Sequence, residues 1–509
     1  PKMAGAPFVS ALKRVHRAMF PAGELVLGMG IAQLVATAQV YFANQRLFAQ
    51  MAAVAEAGFL PVPNPNVLPR LLGLEAAVCG GLLFTLSVGA GLSLLSVAAA
   101  RLWRRCTSGR RVLAAALAAV LTGAVALLHL HGFDAWATLY FVAVPPAVFW
   151  VAGRPRLAPP ASADRWRAGL RFLPLALLAL GWSTQYDRSL FVDLRDHLLL
   201  SNPLGAGISS FYYRYTLYPA EAFKTFDQRT IKTLVDRPAG AIDGQPALKR
   251  ELIRLDYLPV GATPAADMTV WIDAGRLTFQ HGGKTVWADA SERFLADPRR
   301  AAAEISARTD RFAFFRGAAF YGVLLAFPAA LYVLLFALLR LPCGLAVGDR
   351  WADAAAAAAC LLIGLAILAF FHFSREDPPP PEAVAAALKS DRWQRRVAGI
   401  KAVQERQWDI AAFPGYAAML ESPCPQERYW LARTLAVSLD PRAFDDLIRL
   451  LGDPQINVRT MALDALSRRR DPRAVPPILK LLKTSDEWYD QLYAYQALRT
   501  LRWNQSRLN

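Results

Sequence analysis

Charge is sparse in this chain. Charged residues make up 19% of the 509, against roughly 25% in soluble domains. Hydrophobic residues reach 55% and mean hydropathy is +0.25. That balance excludes intrinsic disorder, which requires few apolar residues and a surplus of charge. Cysteine is scarce as well. The five present (Cys79, Cys106, Cys343, Cys360, Cys424) form no CxxC pair. This excludes a disulfide-dense scaffold and a zinc ribbon. Acidic residues are rare in the first third, where residues 1–186 hold 16 Lys/Arg against 5 Asp/Glu.

Net charge is +17. The excess lies between the most apolar stretches, in the groups Lys13, Arg14, Arg17, then Arg101, Arg104, Arg105, Arg110, Arg111, then Arg154, Arg156, Arg165, Arg167, Arg171. Short basic groups beside long apolar runs orient helices in a bilayer. The sequence therefore predicts a lipid bilayer as partner and no nucleic acid.

A hydrocarbon core requires about 20 mostly apolar residues per helix. Seven such runs are present, at 23–43, 72–100, 112–131, 134–152, 169–186, 317–340 and 353–373. Pro145-Pro146 should kink the fourth, and the fifth is short. The basic groups alternate with the runs. The N-terminus, the 101–111 loop and the 153–171 segment fall on the cytoplasmic side, while the loops 44–71 and 131–134 hold only Arg46 and Arg70. Seven crossings leave 187–312 and the C-terminus outside. Failure of the fifth would move both inside. The first run, with its Ala36-Thr37-Ala38 triplet, reads as an uncleaved signal anchor because the apolar sequence continues past it. Ala- and Arg-rich composition is associated with bacteria, which makes the plasma (inner) membrane the expected site, with a periplasmic C-terminus.

Residues 187–312 read as a small α+β module. Helical stretches are expected near 219–235 and 245–255, with strands at 257–260, 268–272, 276–280 and 285–287 and a last helix near 290–312. His281-Gly282-Gly283-Lys284 predicts a hairpin, since glycine supplies positive φ. No Ser-His-Asp set, HExxH or glycine-rich phosphate loop occurs in it. An aromatic segment near its start, with Tyr212, Tyr213, Arg214, Tyr215 and Tyr218, reads as an interfacial aromatic anchor, because amphipathic rings favour the headgroup level. A cation-bearing ligand shelf is the other reading.

Inside the apolar part, Glu75, His129, His131 and Asp134 fall near the outer ends of the second to fourth runs. Ionisable groups there are costly. Two imidazoles and two carboxylates can hold a metal, relay protons or meet a quinone; they can equally be ordinary interface residues. Gly80, Gly81, Gly89 and Gly91 predict close helix contact. No particular cofactor is implied.

After the stiff Asp377-Pro-Pro-Pro-Pro-Glu382 spacer the chain repeats itself. Asp440-Pro-Arg-Ala443 recurs as Asp471-Pro-Arg-Ala474, and Ala462-Leu-Asp-Ala-Leu466 as Ala494-Tyr-Gln-Ala-Leu498. Looser copies carry Ala398, Ala402, Ala432 and Ala436. A period of about 30–34 residues with two amphipathic helices per unit is a solenoid signature. On these motifs residues 376–509 resemble the HEAT-like repeat family. The resemblance implies an α-solenoid that binds one or more proteins. Trp488, Tyr489, Tyr493, Tyr495 and Trp503 are candidate partner-binding aromatics, or the packed cap of the solenoid.

The expected architecture is mainly α. A polytopic helical bundle (1–186 and 313–375) carries an inserted extracytoplasmic α+β domain (187–312) and a C-terminal HEAT-like α-solenoid (376–509). Three functions stay open. The favoured one is a non-catalytic membrane scaffold or assembly factor that grips a partner through the repeats. The others are an ion-coupled transporter or membrane-complex subunit using the Glu/His/Asp group, and a membrane-embedded transferase.

Overall fold

The structure is a computed structural model and describes residues 21–106, 110–154 and 165–506. Lys13, Arg14, Arg17 and Arg156 lie outside the described residues, as do the side chains of Arg110, Arg165 and Arg167. In chain order the main helices of the apolar part are α1 (Ala22–Glu56), α2 (Leu74–Arg105), α3 (Arg110–Leu128), α4 (Ala135–Gly153) and α5 (Arg165–Ser183). Helix α6 (Pro203–Tyr215) follows. Then come strands β1 (Lys232–Arg237), β2 (Tyr257–Pro259), β3 (Met268–Asp273), β4 (Arg276–His281) and β5 (Lys284–Ala290), with α7 (Pro246–Arg254) between β1 and β2 and α8 (Pro298–Thr309) after β5. Helices α9 (Ala313–Val347) and α10 (Ala352–Ser374) return to apolar sequence. Four short helix pairs complete the chain: α11 (Val384–Leu388) with α12 (Trp393–Glu405), α13 (Tyr416–Met419) with α14 (Pro425–Leu435), α15 (Arg442–Leu450) with α16 (Ile456–Arg469), and α17 (Val475–Thr484) with α18 (Trp488–Thr500).

The chain folds as two compact units. The first takes residues up to Tyr41, Ala77–Arg188 and Asp310–His372. Six of the described helices (α1, α2, α3, α4, α9 and α10) are long and apolar enough to cross a membrane, and α5 holds a shorter apolar helix, Arg171–Ser183. Pro145 and Pro146 lie inside α4, where neighbouring helices can satisfy the freed backbone groups. Small residues let the helices of this unit approach backbone to backbone. A Cβ on Gly81 would lie 3.1 Å from the Thr37 nitrogen, one on Gly89 2.5 Å from Ala32 Cβ, and one on Gly322 2.6 Å from the Ser87 carbonyl carbon. The last contact joins two π turns, Thr85–Gly89 in α2 and Gly322–Ala326 in α9. Phe84 meets Tyr140 and Phe315 edge to face in the interior, and Tyr140 packs tilted on Phe315. Glu24, in the first turn of α1, is buried. It sits in the field of Arg101 and Arg104 at the end of α2, so a charge at a helix end is covered by its counter-ions instead of by water.

The second unit takes Phe42–Ala76, Ser189–Thr309 and everything from Phe373 onward. Its sheet runs β2-β1-β3-β4-β5, with β1 parallel to both neighbours and β3-β4-β5 an antiparallel meander. The central strand β1 corrects the sequence reading, which placed a helix over 219–235. Thr233, Leu234 and Val235 are buried, as a strand covered on both faces requires, and Val and Thr favour that pleated setting. Gly282 and Gly283 turn the β4–β5 hairpin with φ of 55° and 77°. The helix expected over 290–312 is broken at Asp297-Pro298 into Ser291–Ala296 and α8, because proline cannot continue the preceding turn. Leu234, Leu248, Leu252, Val270, Phe279 and Ile305 form the core.

Candidate functional site

The four helix pairs share one register. Each second helix begins after a turn residue, Ser390, Ser422, Asp453 or Ser485, whose side chain accepts the backbone N–H two residues on. Six residues after each turn residue stands Arg396, Arg428, Arg459 or Gln491. Every one of these side chains donates back to the turn residue's carbonyl, at 2.6–2.8 Å for Arg396, Arg459 and Gln491. The three arginines also reach acids in the next unit: Arg396 to Glu427, Arg428 to Asp453 and Arg459 to Asp490. The three acids are buried, as is Arg428, and a charge survives burial only when paired and hydrogen-bonded. Asp409, Asp440 and Asp471 recur ahead of the first helices of the later units, Asp409 at the short 3-10 turn Ile410–Ala412 that precedes α13, and their carboxylates accept from Ala411, Arg442 and Arg473 N–H. Ala398, Ala402, Ala432, Ala462, Ala465, Ala494 and Ala497 are buried between successive second helices.

The ladder ends at Gln491. There a neutral amide stands in place of the arginine of the other three units. The amide accepts the Asn64 N–H at 2.8 Å. Asn64 Nδ2 donates to the carbonyls of Leu482, Lys483 and Ser485 at 2.9, 3.2 and 3.0 Å, at and just beyond the C-terminal end of α17. Those carbonyls lack helical partners. Gln505 binds the Leu60 backbone at both its N–H and its C=O, and Arg70 pairs with Asp486 at 3.0 Å. The 60–70 loop therefore caps the array.

A second segment lies on the first two units. Asp193 pairs with Arg375 and Lys401, both at 3.1 Å. Asp196 accepts the Trp430 indole N–H at 2.9 Å, and its carbonyl accepts Gln426 Nε2. Arg195 lies 3.8 Å over the Tyr429 ring, and His197 packs against Trp393 at 5.3 Å. Burial pushes the His197 imidazole below its ordinary value; Asp196 and Asp193 oppose that, and Lys401 and Arg375 add to it.

The aromatic residues picked from the sequence meet on the last unit. Tyr218 packs edge-on to Trp488, and Tyr213 edge-on to Tyr489. Tyr489 stacks on Tyr493. Tyr215 donates to Glu75, and Arg214 pairs with Glu487 at 3.4 Å. Tyr495 donates to Asp256 at 2.6 Å and meets Trp503 edge-on. Trp488 and Tyr495 are buried, while Tyr212 and Tyr493 keep exposed surface. Burial pushes the Tyr218 hydroxyl up to about 12.

Glu75 belongs to the second unit, whereas His129, His131 and Asp134 belong to the first. Thr138 bridges two of these three: its hydroxyl meets His129 Nε2 at 2.9 Å and donates to the Asp134 carbonyl at 2.6 Å. Asp134 caps α4 at the Ala137 N–H and pairs with Arg311 at 3.5 Å. His131 is exposed. Arg316, which could snorkel outward, forks onto Asp310 instead. Burial alone would raise the Asp310 carboxyl, but that fork holds it below its usual value. Among the described residues no group of three or more His, Cys, Asp or Glu is placed to hold a metal ion. A cleft of about 630 Å³ opens beyond the ends of β1 and β2, lined by Asp236, Arg237, Asp243 and Glu56 among others.

Sequence reasoning missed Asn64, Gln491, Gln505, Asp193, Asp196 and His197. One signal was available: aligning the units on Ser390, Ser422, Asp453 and Ser485 exposes Gln491 as the odd member of an arginine series.

Stacked pairs of this kind, each burying its core only against the next, define an α-solenoid. A family model for HEAT repeats matches residues 414–499, so the C-terminal part of the chain is built of HEAT repeats, which commonly mediate protein–protein interaction. No curated protein and no solved structure matches the chain.

Proposed function

We propose that this chain is an integral membrane scaffold that presents a HEAT-repeat platform to a protein partner, on the side of the membrane opposite its arginine-rich helix ends. The apolar helices support membrane embedding. Leu34, Leu95, Val120, Leu325, Leu338 and Leu362 project outward from the first unit. Such a surface is an aggregation liability in water and the normal state in lipid.

The observation that carries the sidedness is how the second unit is assembled. It joins the segment after the first candidate span to the segments after the fifth and the last. Gln50 binds Asp267 at 2.8 Å, and Asn64 binds Gln491, so these segments share one aqueous side. Starting beside α1, helices α2, α3 and α4 make three crossings and end on the wrong side for residue 189. A fourth, through α5, restores the match, and α9 with α10 preserves it. Parity thus supports seven crossings and a role for the short α5 as the fifth. Three arginines (Arg165, Arg167, Arg171) at its start fit a cytoplasmic end.

The chain's own segments cover part of the repeat surface. The partner surface is the exposed remainder, where Leu439 is 89% exposed and Arg442, Arg449 and Arg473 point to solvent. Deleting the repeats would uncap Asn64 and Asp193, so a surface variant is the cleaner test. Reversing Arg442 and Arg473 together to Glu should remove the protein that cross-links to the repeats in native membranes while leaving membrane insertion unchanged. An unaltered set of cross-linked proteins would contradict the platform reading.

A further inference from the structure

Helix α6 has two faces of opposite fate. One is fixed within the second unit. Gly205 sits where a Cβ would lie 2.3 Å from the Leu199 carbonyl oxygen, Ser209 is buried, and Tyr213 packs on Tyr489. Asn202 caps the helix at the Gly205 N–H, and Arg214 ties its far end to Glu487. The helix cannot roll. Its other face carries Leu204, Ile208 and Phe211, spaced i, i+4, i+7, with exposures of 77%, 52% and 40%. Tyr212 flanks them and is also exposed. No charged residue occurs between His197 and Arg214.

We infer that this face of α6 lies in the headgroup–acyl boundary of the bilayer, as an in-plane anchor for the repeats. The inference rests on the membrane reading above. Three observations select lipid as the occupant. The stripe is uncharged, with tyrosine and arginine only beside it, the composition that suits the interface. It spans about two turns of one helix, too little for a stable second copy or protein partner, which needs about 20–30 residues a side. Only residues 184–189 separate the end of the apolar α5 from the next helix, Leu190–Leu194. Six extended residues reach about 20 Å at most, so this helix starts near the surface that α5 leaves. Phe191, within it, is 65% exposed.

The test uses the full chain in lipid nanodiscs, in a background with its five native cysteines replaced. Single cysteines at Ile208, Leu95 and Gln496 carry an environment-sensitive fluorophore, and the discs contain phospholipid with a nitroxide high on the acyl chain. Ile208→Cys should be quenched as Leu95→Cys is, and Gln496→Cys should not. Quenching at Leu95 without quenching at Ile208 overturns the inference and leaves the membrane reading intact. No quenching at Leu95 overturns the membrane reading and this inference with it. Leu204→Cys repeats the measurement should the Ile208 variant fold poorly. A fluorophore at 208 shielded in native membranes yet unquenched in nanodiscs would identify a protein occupant and also overturn the inference.

Discussion

Asn64 and Gln491 hold each other across 427 residues of chain: the backbone N–H of the first donates to the side-chain carbonyl of the second at 2.8 Å. The same Asn64 side chain satisfies three carbonyls at and beyond the end of α17. Replacing Asn64 by Ala strands the Leu482 and Lys483 carbonyls, while the Ser485 carbonyl keeps the Gln491 amide. The expected cost is about 1–3 kcal/mol, the penalty of an unsatisfied buried group. Hydrogen exchange should show faster opening at 482–491 and at 60–70, with β3 and β4 unchanged.

The buried ladder is asymmetric in its response to mutation. Arg428 forks onto Asp453 at 2.5 and 3.0 Å. Arg428→Met leaves Asp453 charged and unpaired, which should cost about 3–5 kcal/mol. The double variant Arg428→Met, Asp453→Asn removes the stranded charge and should be milder than the single one in thermal unfolding. Equal losses would mean the pair contributes through packing alone.

The docked 190–199 segment should loosen in acid. Burial sets the folded-state pKa of His197 below that of the free imidazole. The unfolded or undocked segment then binds more protons in the window below about pH 6.5. Docking is at full strength above that pH and weakens as pH falls towards the folded-state value. Limited proteolysis near residue 190 should accelerate between pH 7 and pH 5. His197→Phe, which keeps the ring against Trp393, should flatten that profile.

Close helix contact in the first unit rests on single glycines. Gly322→Val places a branched side chain against the Ser87 backbone, where nothing flexible can yield. Overpacking of this kind costs about 1–3 kcal/mol or more. The variant should lose assembled protein from the membrane fraction, while Gly317→Ala, with open space around it, should not.

The apolar helices were legible in the sequence because an uncharged hydrophobic run of about twenty residues matches the thickness of a bilayer core and exceeds what most soluble helices bury. The repeats were legible because Asp440-Pro-Arg-Ala443 recurs as Asp471-Pro-Arg-Ala474. Strand β1 was misread because Lys232-Thr-Leu-Val-Asp-Arg237 is short and bounded by charges, so its burial depends on β2 and β3, which follow it. The capping by Asn64 and the docking of Asp193 were invisible for a similar reason. Each is a single polar residue whose partner lies hundreds of positions away, and local pattern carries no trace of it. Gly81 and Gly89 were read as packing residues, and they abut Ala36 and Ala32.

Seven crossings would place all three pieces of the second unit opposite the arginine-rich helix ends, and on that sidedness the platform depends. Cysteines at Lys284 and Gln496, compared with one at Arg350 in the α9–α10 connection, test it in intact cells with a membrane-impermeant maleimide. Lys284→Cys and Gln496→Cys should react from outside, and Arg350→Cys should react only after permeabilisation. Reaction of Arg350→Cys in intact cells, with the other two silent, would contradict the proposed sidedness.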